Sequence, residues 1–301
     1  MWHFISDTIS TAIGDVFICD SAKQVNHQHN HVSYVLKGSQ RRFFVKLSTG
    51  KQPQAGKSPL ACEAEGLRAL ASTQTVQCPR VLCHGEFSEN QQDYEYLVIQ
   101  YICFKSPSQQ LWQDAGTQLA LLHGSPLPEC FDGNASQYGW VTNNYLGATE
   151  QINSTNANWS DFFLQNRIEY YLRQLKAATK VVNSAVLQLV EQQLAQHQPQ
   201  PCLLHGDLWH GNIGFSASAP VIFDPAIWIG DPECDLAMAE LFGGFAKVFF
   251  SAYHQQLPAS SELERRRPIY QLPHALNHWL MFGDTYQGMV ETLVSRIKEN
   301  E

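Results

Sequence analysis

Residues 203–212 read Leu-Leu-His-Gly-Asp-Leu-Trp-His-Gly-Asn, and residues 221–225 read Val-Ile-Phe-Asp-Pro. The first segment places Asp207 five residues before Asn212, and the second ends an apolar, β-type run at Asp224. Carboxylate and amide oxygens are the ligands that Mg²⁺ prefers, and a carboxylate can also accept a proton from a hydroxyl group. The order of loop, strand and terminal Asp therefore indicates a base beside a metal-binding pair.

The same order is the pattern of the catalytic loop in kinases, where Asn follows the catalytic Asp by five residues and a later strand ends on a second Asp. We therefore expect Asp207 to be the catalytic base, and Asn212 and Asp224 to hold Mg²⁺ against the phosphates of ATP. Taken singly, Asp207 could cap a turn and Asp224 could merely end a strand, but their combination favours catalysis. Kinases usually continue with Phe-Gly after the second Asp, whereas this chain continues with Pro225 and Ala226.

A lysine upstream has the position of the kinase lysine that contacts the α- and β-phosphates. Phe-Phe-Val-Lys ends a predicted strand at Lys46, and Glu63 lies on the predicted helix that follows. We expect Glu63 to pair with Lys46, because Glu63 shares a helical face with Leu67. Glu65 is the alternative partner.

The adenine ring is expected to contact main-chain atoms in residues 97–102, since that segment joins the two halves of the chain. By position, the carbonyl of Gln100 and the amide of Ile102 would meet its edge.

The 301 residues, 44% of them hydrophobic, suffice for a two-lobe α+β fold. We expect an N-terminal nucleotide-binding lobe over residues 1–102, with a small antiparallel sheet interrupted by one helix, and a larger, mainly helical catalytic lobe over residues 103–301. The predicted strands are Val32–Leu36, Arg42–Leu47 and Tyr94–Ile102, with a turn at 37–39, and the predicted helix is Leu60–Leu70.

The second half shows helical periodicity. One helix is expected to start at Ser106 and Pro107 and to stop at Gly124, a second to run from Asp161 to about Lys180, and a third to end before Pro199. The apolar stretch Leu236–Tyr253 contains charged residues and a Gly-Gly pair, so we interpret it as a core segment and not as a membrane span.

The chain resembles the fructosamine kinases, also called ketosamine kinases, which share the protein-kinase-like fold with aminoglycoside and choline phosphotransferases. The resemblance extends over nearly the whole chain. It rests on the catalytic loop and on residues 43–46, 143–153, Trp159, 162–163, 222–226, 233–237, 242–245, 270–272 and 276–279.

The resemblance implies that ATP phosphorylates the 3-hydroxyl of a ketoamine, the adduct of a sugar with an amine that is either free or protein-linked. The product is unstable and releases the amine, so the role would be deglycation. Trp209 would supply a flat wall for the sugar, with His210 in the same substrate site; a core tryptophan is the alternative. Asp231 and Glu233 could attract the ketoamine nitrogen, whereas Asp235 and its neighbours could equally brace the catalytic loop.

The first hairpin departs from the family pattern, because residues 26–31 read Asn-His-Gln-His-Asn-His where relatives usually have glycines. Glycine permits close approach of backbone amides to phosphate, so its absence puts nucleotide affinity in doubt. His27, His29 and His31 alternate and could share one face of a strand as a metal site. Solvated histidines are the more common outcome in a polar hairpin.

Two other functions stay open at this point. An enzyme of the same fold could act on another hydroxyl, such as that of an aminoglycoside, choline or a homoserine-like compound. A kinase-like binding module without catalysis is the other, but such a module has no physical need for a base and two metal ligands.

Composition excludes several partners. The net charge of −8 disfavours binding to nucleic acid or to an anionic membrane. The eight cysteines are scattered and the N-terminus lacks a signal-peptide pattern, so we expect reduced thiols in a cytoplasmic protein. The sequence shows no partner surface, and a monomer is the default expectation.

Overall fold

The computed structural model describes residues 1–27, 31–49, 56–131 and 137–300. Its N-terminal part is a five-stranded antiparallel sheet in the order β1-β2-β3-β5-β4, with one helix on each face. The elements are α1 (Trp2–Ile13), β1 (Ser21–His27), β2 (Val32–Lys37), β3 (Arg42–Thr49), α2 (Pro59–Ser72), β4 (Val81–Glu89) and β5 (Gln92–Gln100). The predicted strands and the helix between them are confirmed, whereas α1, β1 and β4 were missed.

The alternation of side chains along β3 decides which residues reach the cleft. Phe43 and Val45 pack with α1 in one cluster, while Phe44 packs with α2 in a second cluster on the opposite face. Because successive residues of a strand point to opposite faces, Lys46 lies on the α2 side. The strand thus directs a lysine toward a helix that begins at a Ser58 cap and Pro59.

The C-terminal part is mainly helical and packs around one large apolar core. Its helices are α3 (Gln109–His123), α4 (Trp159–Phe163), α5 (Tyr170–Gln174), α6 (Ser184–Ala195), α7 (Glu233–Leu241), α8 (Lys247–Gln256), α9 (Leu263–Phe282) and α10 (Gln287–Glu299). Three short antiparallel pairs complete it, formed by β6 (Asn144–Leu146) with β7 (Thr149–Gln151), β8 (Cys202–Leu204) with β11 (Trp228–Gly230), and β9 (Ile213–Phe215) with β10 (Pro220–Ile222).

Two predicted helices have other boundaries in the structure. The helix expected from Ser106 starts at Gln109, because the Ser108 side chain accepts a hydrogen bond from the Leu111 amide at 3.2 Å and caps it there. The helix expected over 161–180 begins at Trp159 and contains a π-helical turn, Leu164–Glu169, before α5 ends at Gln174. Residues 176–180 form a separate 3₁₀ turn.

The predicted boundary between residues 102 and 103 lies in the extended segment between β5 and α3. The division into two domains at this point stays a prediction. Across the residues that the structure describes, none of the helices has the length and apolar character needed to cross a lipid bilayer.

Close contact between α3 and α8 generates a stability prediction. A Cβ at Gly116 would lie 2.1 Å from the Phe249 carbonyl oxygen, whereas a Cβ at Gly288 on α10 would meet nothing within 4 Å. Gly116→Ala is expected to lower the free energy of unfolding by about 1–3 kcal/mol, since overpacking outweighs the gain in helix propensity. Gly288→Ala should raise it by up to about 1 kcal/mol. Urea denaturation of both variants checks that the two changes in the free energy of unfolding have opposite signs. Equal changes would contradict the close backbone contact at Gly116.

Candidate active site

The segment 205–212 leaves β8 as a loop whose path depends on a glycine. Gly206 has φ +79°, and a Cβ there would lie only 2.0 Å from the Ala226 carbonyl oxygen. The Ala226 amide donates to the His205 carbonyl at 2.9 Å, so the loop lies directly against the segment that follows Asp224. A side chain at Gly206 would separate the two segments that carry the predicted catalytic groups.

Asp235 at the start of α7 holds this loop from behind. Its carboxylate accepts hydrogen bonds from the His205 amide at 2.8 Å and the Gly206 amide at 2.9 Å, and one oxygen lies 3.2 Å from His123 Nε2. Burial alone would raise the pKa of Asp235, but these contacts, His123 first, hold it below its ordinary value. Of the two roles considered for the acidic residues 231–235, attraction of the substrate nitrogen and bracing of the catalytic loop, Asp235 therefore has the second.

His205 connects the loop to the end of β10. Its Nδ1 accepts from the Asp207 amide at 3.2 Å, so Nε2 carries the proton and donates to the Phe223 carbonyl at 3.0 Å. Burial lowers the pKa of His205, which favours this neutral tautomer. The histidine is a positioning group between the segments of Asp207 and Asp224.

Asp207, Asn212 and Asp224 meet at one point. Asn212 Nδ2 donates to the Asp207 carbonyl at 2.9 Å and to Asp207 Oδ2 at 3.0 Å, and it lies 3.5 Å from the Asp224 carbonyl. Asp224 has φ +56°, a sparsely populated conformation for a residue with a side chain. Burial, with the charge of Asp224 as a second cause, raises the pKa of Asp207 to about 7.

Lys46 crosses the cleft to the same point. Its Nζ donates to Asp224 Oδ1 at 2.6 Å and to Glu63 Oε2 at 2.8 Å, and the lysine side chain is only 3% exposed. Burial disfavours the charge, but Asp224 and Glu63 outweigh it and raise the pKa of Lys46. The rival residue Glu65 points elsewhere, where it accepts from Trp140 Nε1 at 3.0 Å and contacts Lys57.

These groups line a cavity of about 400 Å³. The phosphate end, as we name it, is lined by His31, Lys46, Glu63, Asp207, Asn212 and Asp224. We call the part lined by Trp209, Tyr145, Gly147, Asn277, His278 and Phe282 the sugar end, because the resemblance implies that the sugar would lie beside Trp209. The oxygen donors at the phosphate end are the hard ligands that Mg²⁺ requires, so the side chains present fit that ion.

Trp209 and His210 lie at different depths. Trp209 is half-buried and lines the cavity, with its ring edge-on to His210 and, at 6.1 Å, to Phe242. It is not a core tryptophan. His210 is exposed and does not line the cavity; a Cβ at Gly244 would lie 2.7 Å from its Cβ.

The two residues predicted to meet adenine lie outside this cavity. Gln100 ends β5, and its amide donates to the Arg80 carbonyl at 2.9 Å. Ile102 follows in the extended segment, and none of the described residues accepts a hydrogen bond from its amide. That amide is therefore available as a donor.

Asp231 and Glu233 are engaged within the protein. Asp231 Oδ2 accepts from the Tyr270 hydroxyl at 2.6 Å and contacts His197, and Glu233 forms a two-point ion pair with Arg266 at 2.6 and 2.8 Å. Neither lines the cavity. Their suggested attraction for a substrate nitrogen stays a prediction, although both acids are engaged outside the cavity.

An amide network that sequence reasoning left without a role supports the Asp224 segment. Asn144 Nδ2 donates to the Ile227 carbonyl at 2.7 Å, and Gln151 Nε2 donates to the Ala226 carbonyl at 3.1 Å and to Asn144 Oδ1 at 2.8 Å. Asn153 also donates to Asn144 Oδ1, at 3.0 Å. The segment 143–153 was noted for its resemblance, but its residue types alone did not show which backbone it would hold.

The predicted histidine cluster falls partly outside the described residues. His29 and the side chain of His27 lie there, so the three-histidine metal site stays a prediction. His31 lines the cavity. Burial alone would raise the pKa of Asp224, but the charge of Lys46 and, to a smaller extent, that of His31 hold this pKa below its ordinary value.

Removal of Lys46 should destabilise the fold in a pH-dependent way. Lys46→Met is expected to lower the free energy of unfolding by about 3–5 kcal/mol near pH 8, since it leaves Glu63 and Asp224 buried without a cation. Without the lysine the pKa values of both carboxyls rise in the folded state. Protons then bind the folded state more tightly than the unfolded one, so the loss should shrink near pH 6. Urea denaturation of wild type and Lys46→Met at both pH values measures this loss in the free energy of unfolding.

Lys57→Met is the matched control, because Lys57 makes a more exposed ion pair to Glu65 with 46% of the lysine side chain accessible. It should cost less than about 1 kcal/mol at either pH. Equal losses in the two variants would contradict a buried charge cluster at Lys46.

Comparison with known proteins agrees with this geometry. The family model for fructosamine kinase matches residues 1–300. A protein from Synechocystis sp., named a probable ketoamine kinase, is 36% identical over 298 residues, which cover 98% of this chain and 96% of that protein. A protein from Vibrio vulnificus with the same name is 34% identical over 302 residues and 99% of each chain.

Solved structures agree as well. A crystal structure from Haemophilus somnus, provisionally named a fructosamine-3-kinase, has a TM-score of 0.85 at 25% identity and covers 99% of this chain and 97% of that one. The aminoglycoside phosphotransferase APH(4)-Ia, solved with AMP-PNP and hygromycin B, has a TM-score of 0.64 at 15% identity, covers 98% of this chain and 97% of that one, and shows the shared kinase-like fold. The chain therefore belongs to the fructosamine kinase family, and it is an ATP-dependent kinase that phosphorylates a hydroxyl group.

Proposed function

We propose that this protein transfers the γ-phosphate of Mg²⁺-bound ATP to the 3-hydroxyl of a ketoamine. One observation carries the proposal: Asp207, Asp224 and Lys46 line the same cavity of about 400 Å³, together with Trp209. Asp207 is the catalytic base in this proposal, and Asn212 and Asp224 are the metal ligands.

The base has one oxygen available for the substrate. Asn212 binds Asp207 Oδ2, and none of the described residues donates to Asp207 Oδ1. The hydroxyl of the substrate donates to Oδ1 and is thereby oriented for attack on phosphorus. A pKa near 7 suits a group that takes up this proton as the phosphoryl group is transferred.

The nucleotide would be held from both sides of the cleft. Asn212 Oδ1 and the Asp224 carboxylate would hold Mg²⁺, which when bound neutralises charge on the phosphates. Lys46, kept in place by Glu63, supplies a cation for the α- and β-phosphates. The Gln100 carbonyl and the Ile102 amide contact the adenine edge in this proposal, at the end of β5.

The sugar end favours a ketoamine over a polycation. The ring of Trp209 gives the sugar an apolar wall, and His210, which is edge-on to that ring but does not line the cavity, is the second substrate residue of the proposal. An aminoglycoside would require several carboxylates, but within the described part of the chain the carboxylates that line the cavity are Glu63, Asp207 and Asp224, which this proposal assigns to Lys46, to the base and to Mg²⁺. The names of the relatives from Synechocystis and Vibrio, ketoamine kinases, support the same substrate class.

Phosphate on the 3-hydroxyl would convert the adduct into a labile compound. Loss of a proton from C1, next to the C2 carbonyl, gives a 1,2-enaminol, from which the C3 phosphate leaves as inorganic phosphate. Water then hydrolyses the resulting C1 imine, which frees the amine and leaves a 3-deoxy dicarbonyl sugar. Deglycation of amines is therefore the proposed physiological role.

Substitution at the base should separate catalysis from nucleotide binding. Asp207→Asn is expected to lower kcat by about 10²- to 10⁴-fold with little change in the affinity for Mg²⁺-ATP, since it removes one acid–base group. Asp224→Asn, the matched carboxyl, should weaken Mg²⁺-ATP binding as well. Single-turnover kinetics and nucleotide titration measure the two effects. Full turnover in Asp207→Asn would overturn the role of the base.

The raised pKa of Asp207 predicts a pH profile. The base must be ionised, so kcat/KM for the hydroxyl substrate should fall roughly tenfold per pH unit below about pH 7. In Asp207→Asn, the fall of kcat/KM at low pH should be absent. A fall that persists in the variant would assign the titration to another group.

A substrate panel tests the acceptor. Wild-type protein should consume ATP with fructoselysine or ribuloselysine and yield a product with phosphate on O3, with Asp207→Ala as the blank. Phosphorus NMR identifies the position. Activity on choline or kanamycin without activity on ketoamines would overturn the substrate assignment. Only the assignment as a phosphotransferase would then remain.

A further inference from the structure

Asn277 presents a buried hydrogen-bond acceptor at the sugar end of the cavity. The residue lies on α9, is 1% exposed and lines the cavity wall. Its Nδ2 donates to the Leu146 carbonyl at 3.1 Å, and among the described residues Oδ1 has no hydrogen-bond partner. A buried amide oxygen without a donor is unfavourable, so such a group on a residue of the cavity wall points to a donor on the ligand.

The orientation of this amide follows from its neighbour. A backbone carbonyl only accepts hydrogen bonds, so the NH₂ group of Asn277 must face Leu146. The opposite orientation would place two acceptors 3.1 Å apart. Oδ1 therefore faces away from Leu146, and its acceptor character is fixed before any ligand binds.

The surrounding elements fix the position of Asn277 relative to the phosphate end. The turn between β6 and β7 is tied to α9 a second time, because the Ala148 amide donates to Met281 Sδ at 3.4 Å. On its other side the same hairpin is tied to the Ile227 carbonyl by Asn144 at 2.7 Å. Asn277 is thus connected through one hairpin to the segment that carries Asp224.

Other groups at the sugar end suit a neutral polyol. His278 Nδ1 donates to the His274 carbonyl at 2.8 Å, and burial lowers the pKa of His278, so Nε2 is a second acceptor. The rings of Trp209 and Phe282 line the same end. Hydroxyl groups donate to such acceptors while the C–H groups of a sugar pack on aromatic faces.

We propose that Asn277 Oδ1 accepts a hydrogen bond from a sugar hydroxyl other than the one that receives phosphate. Asn277 is thereby a specificity-determining residue, since a sugar that lacks this hydroxyl leaves the buried oxygen unpaired. The inference rests on the proposed ketoamine substrate and adds to it the contact by which the sugar is selected.

The experiment compares a fructose-derived ketoamine with its 4-, 5- and 6-deoxy analogues on wild type and Asn277→Leu. In wild type, kcat/KM should fall by about 10- to 100-fold for one of the analogues, the effect of one hydrogen bond to a buried group. In Asn277→Leu the parent substrate should lose a similar factor in kcat/KM, whereas that analogue should lose little, so that the two substrates become nearly equal. A purely structural role would lower all substrates by the same factor and leave their ratios unchanged.

Gln271→Leu is the matched control. Gln271 is a second buried amide on α9, 4% exposed, whose Nε2 donates to the Ala237 carbonyl at 3.0 Å, but it does not line the cavity. Its variant should keep the wild-type ratios among the analogues. If Asn277→Leu does not fold, Asn277→Ala removes the same acceptor without adding bulk and serves the same comparison.

The outcomes separate the two proposals. Ratios in the Asn277 variant that equal those of wild type for all three analogues would overturn the role of Asn277 while leaving ketoamine kinase activity intact. Wild-type protein that phosphorylates none of the ketoamines would instead overturn the proposed function.

Discussion

A buried lysine between two carboxylates is the interaction on which the cleft depends. Lys46 comes from the sheet, Glu63 from α2 and Asp224 from the segment after β10, so one ammonium group connects three elements. In a buried site such a cation requires its partners, because desolvation is costly and only close opposite charges offset it. Lys46 and its two carboxylate partners therefore constrain how the sheet and the helical part face each other.

The catalytic segments are held mostly by hydrogen bonds to backbone atoms. Asp235 binds two consecutive amides of the loop, and the amides of Asn144 and Gln151 bind the two carbonyls that follow Pro225. Contacts of this kind fix main-chain positions and leave the functional side chains free to meet the ligand. The strained φ of Asp224 is compatible with this support, since over-determined surroundings can maintain an unfavourable conformation at a functional site.

The order of the catalytic groups could be predicted from the sequence because kinase chemistry requires a base and two oxygen ligands at fixed spacing. The strands β2, β3 and β5 were also predictable, since they are rich in β-branched and aromatic residues. Strands β1 and β4 were missed because their residues are largely exposed or half-buried and lack a clear alternating pattern. The π-helical turn within 159–174 was missed for a related reason: periodicity gives the apolar face of a helix but not its local hydrogen-bond pattern.

By itself, the sequence determined the family, the phosphotransferase chemistry and the identity of Asp207, Asn212, Asp224 and Lys46 as its candidates, because motif spacing is a local property of the chain. Only the tertiary structure decided that Glu63 and not Glu65 faces Lys46, and that Asp231 and Glu233 are engaged elsewhere. It alone showed that Asn277 lines the cavity and that, among the described residues, its Oδ1 has no hydrogen-bond partner. Partners separated by up to 178 residues in the chain, as Lys46 and Asp224 are, meet only through packing, which no local pattern encodes.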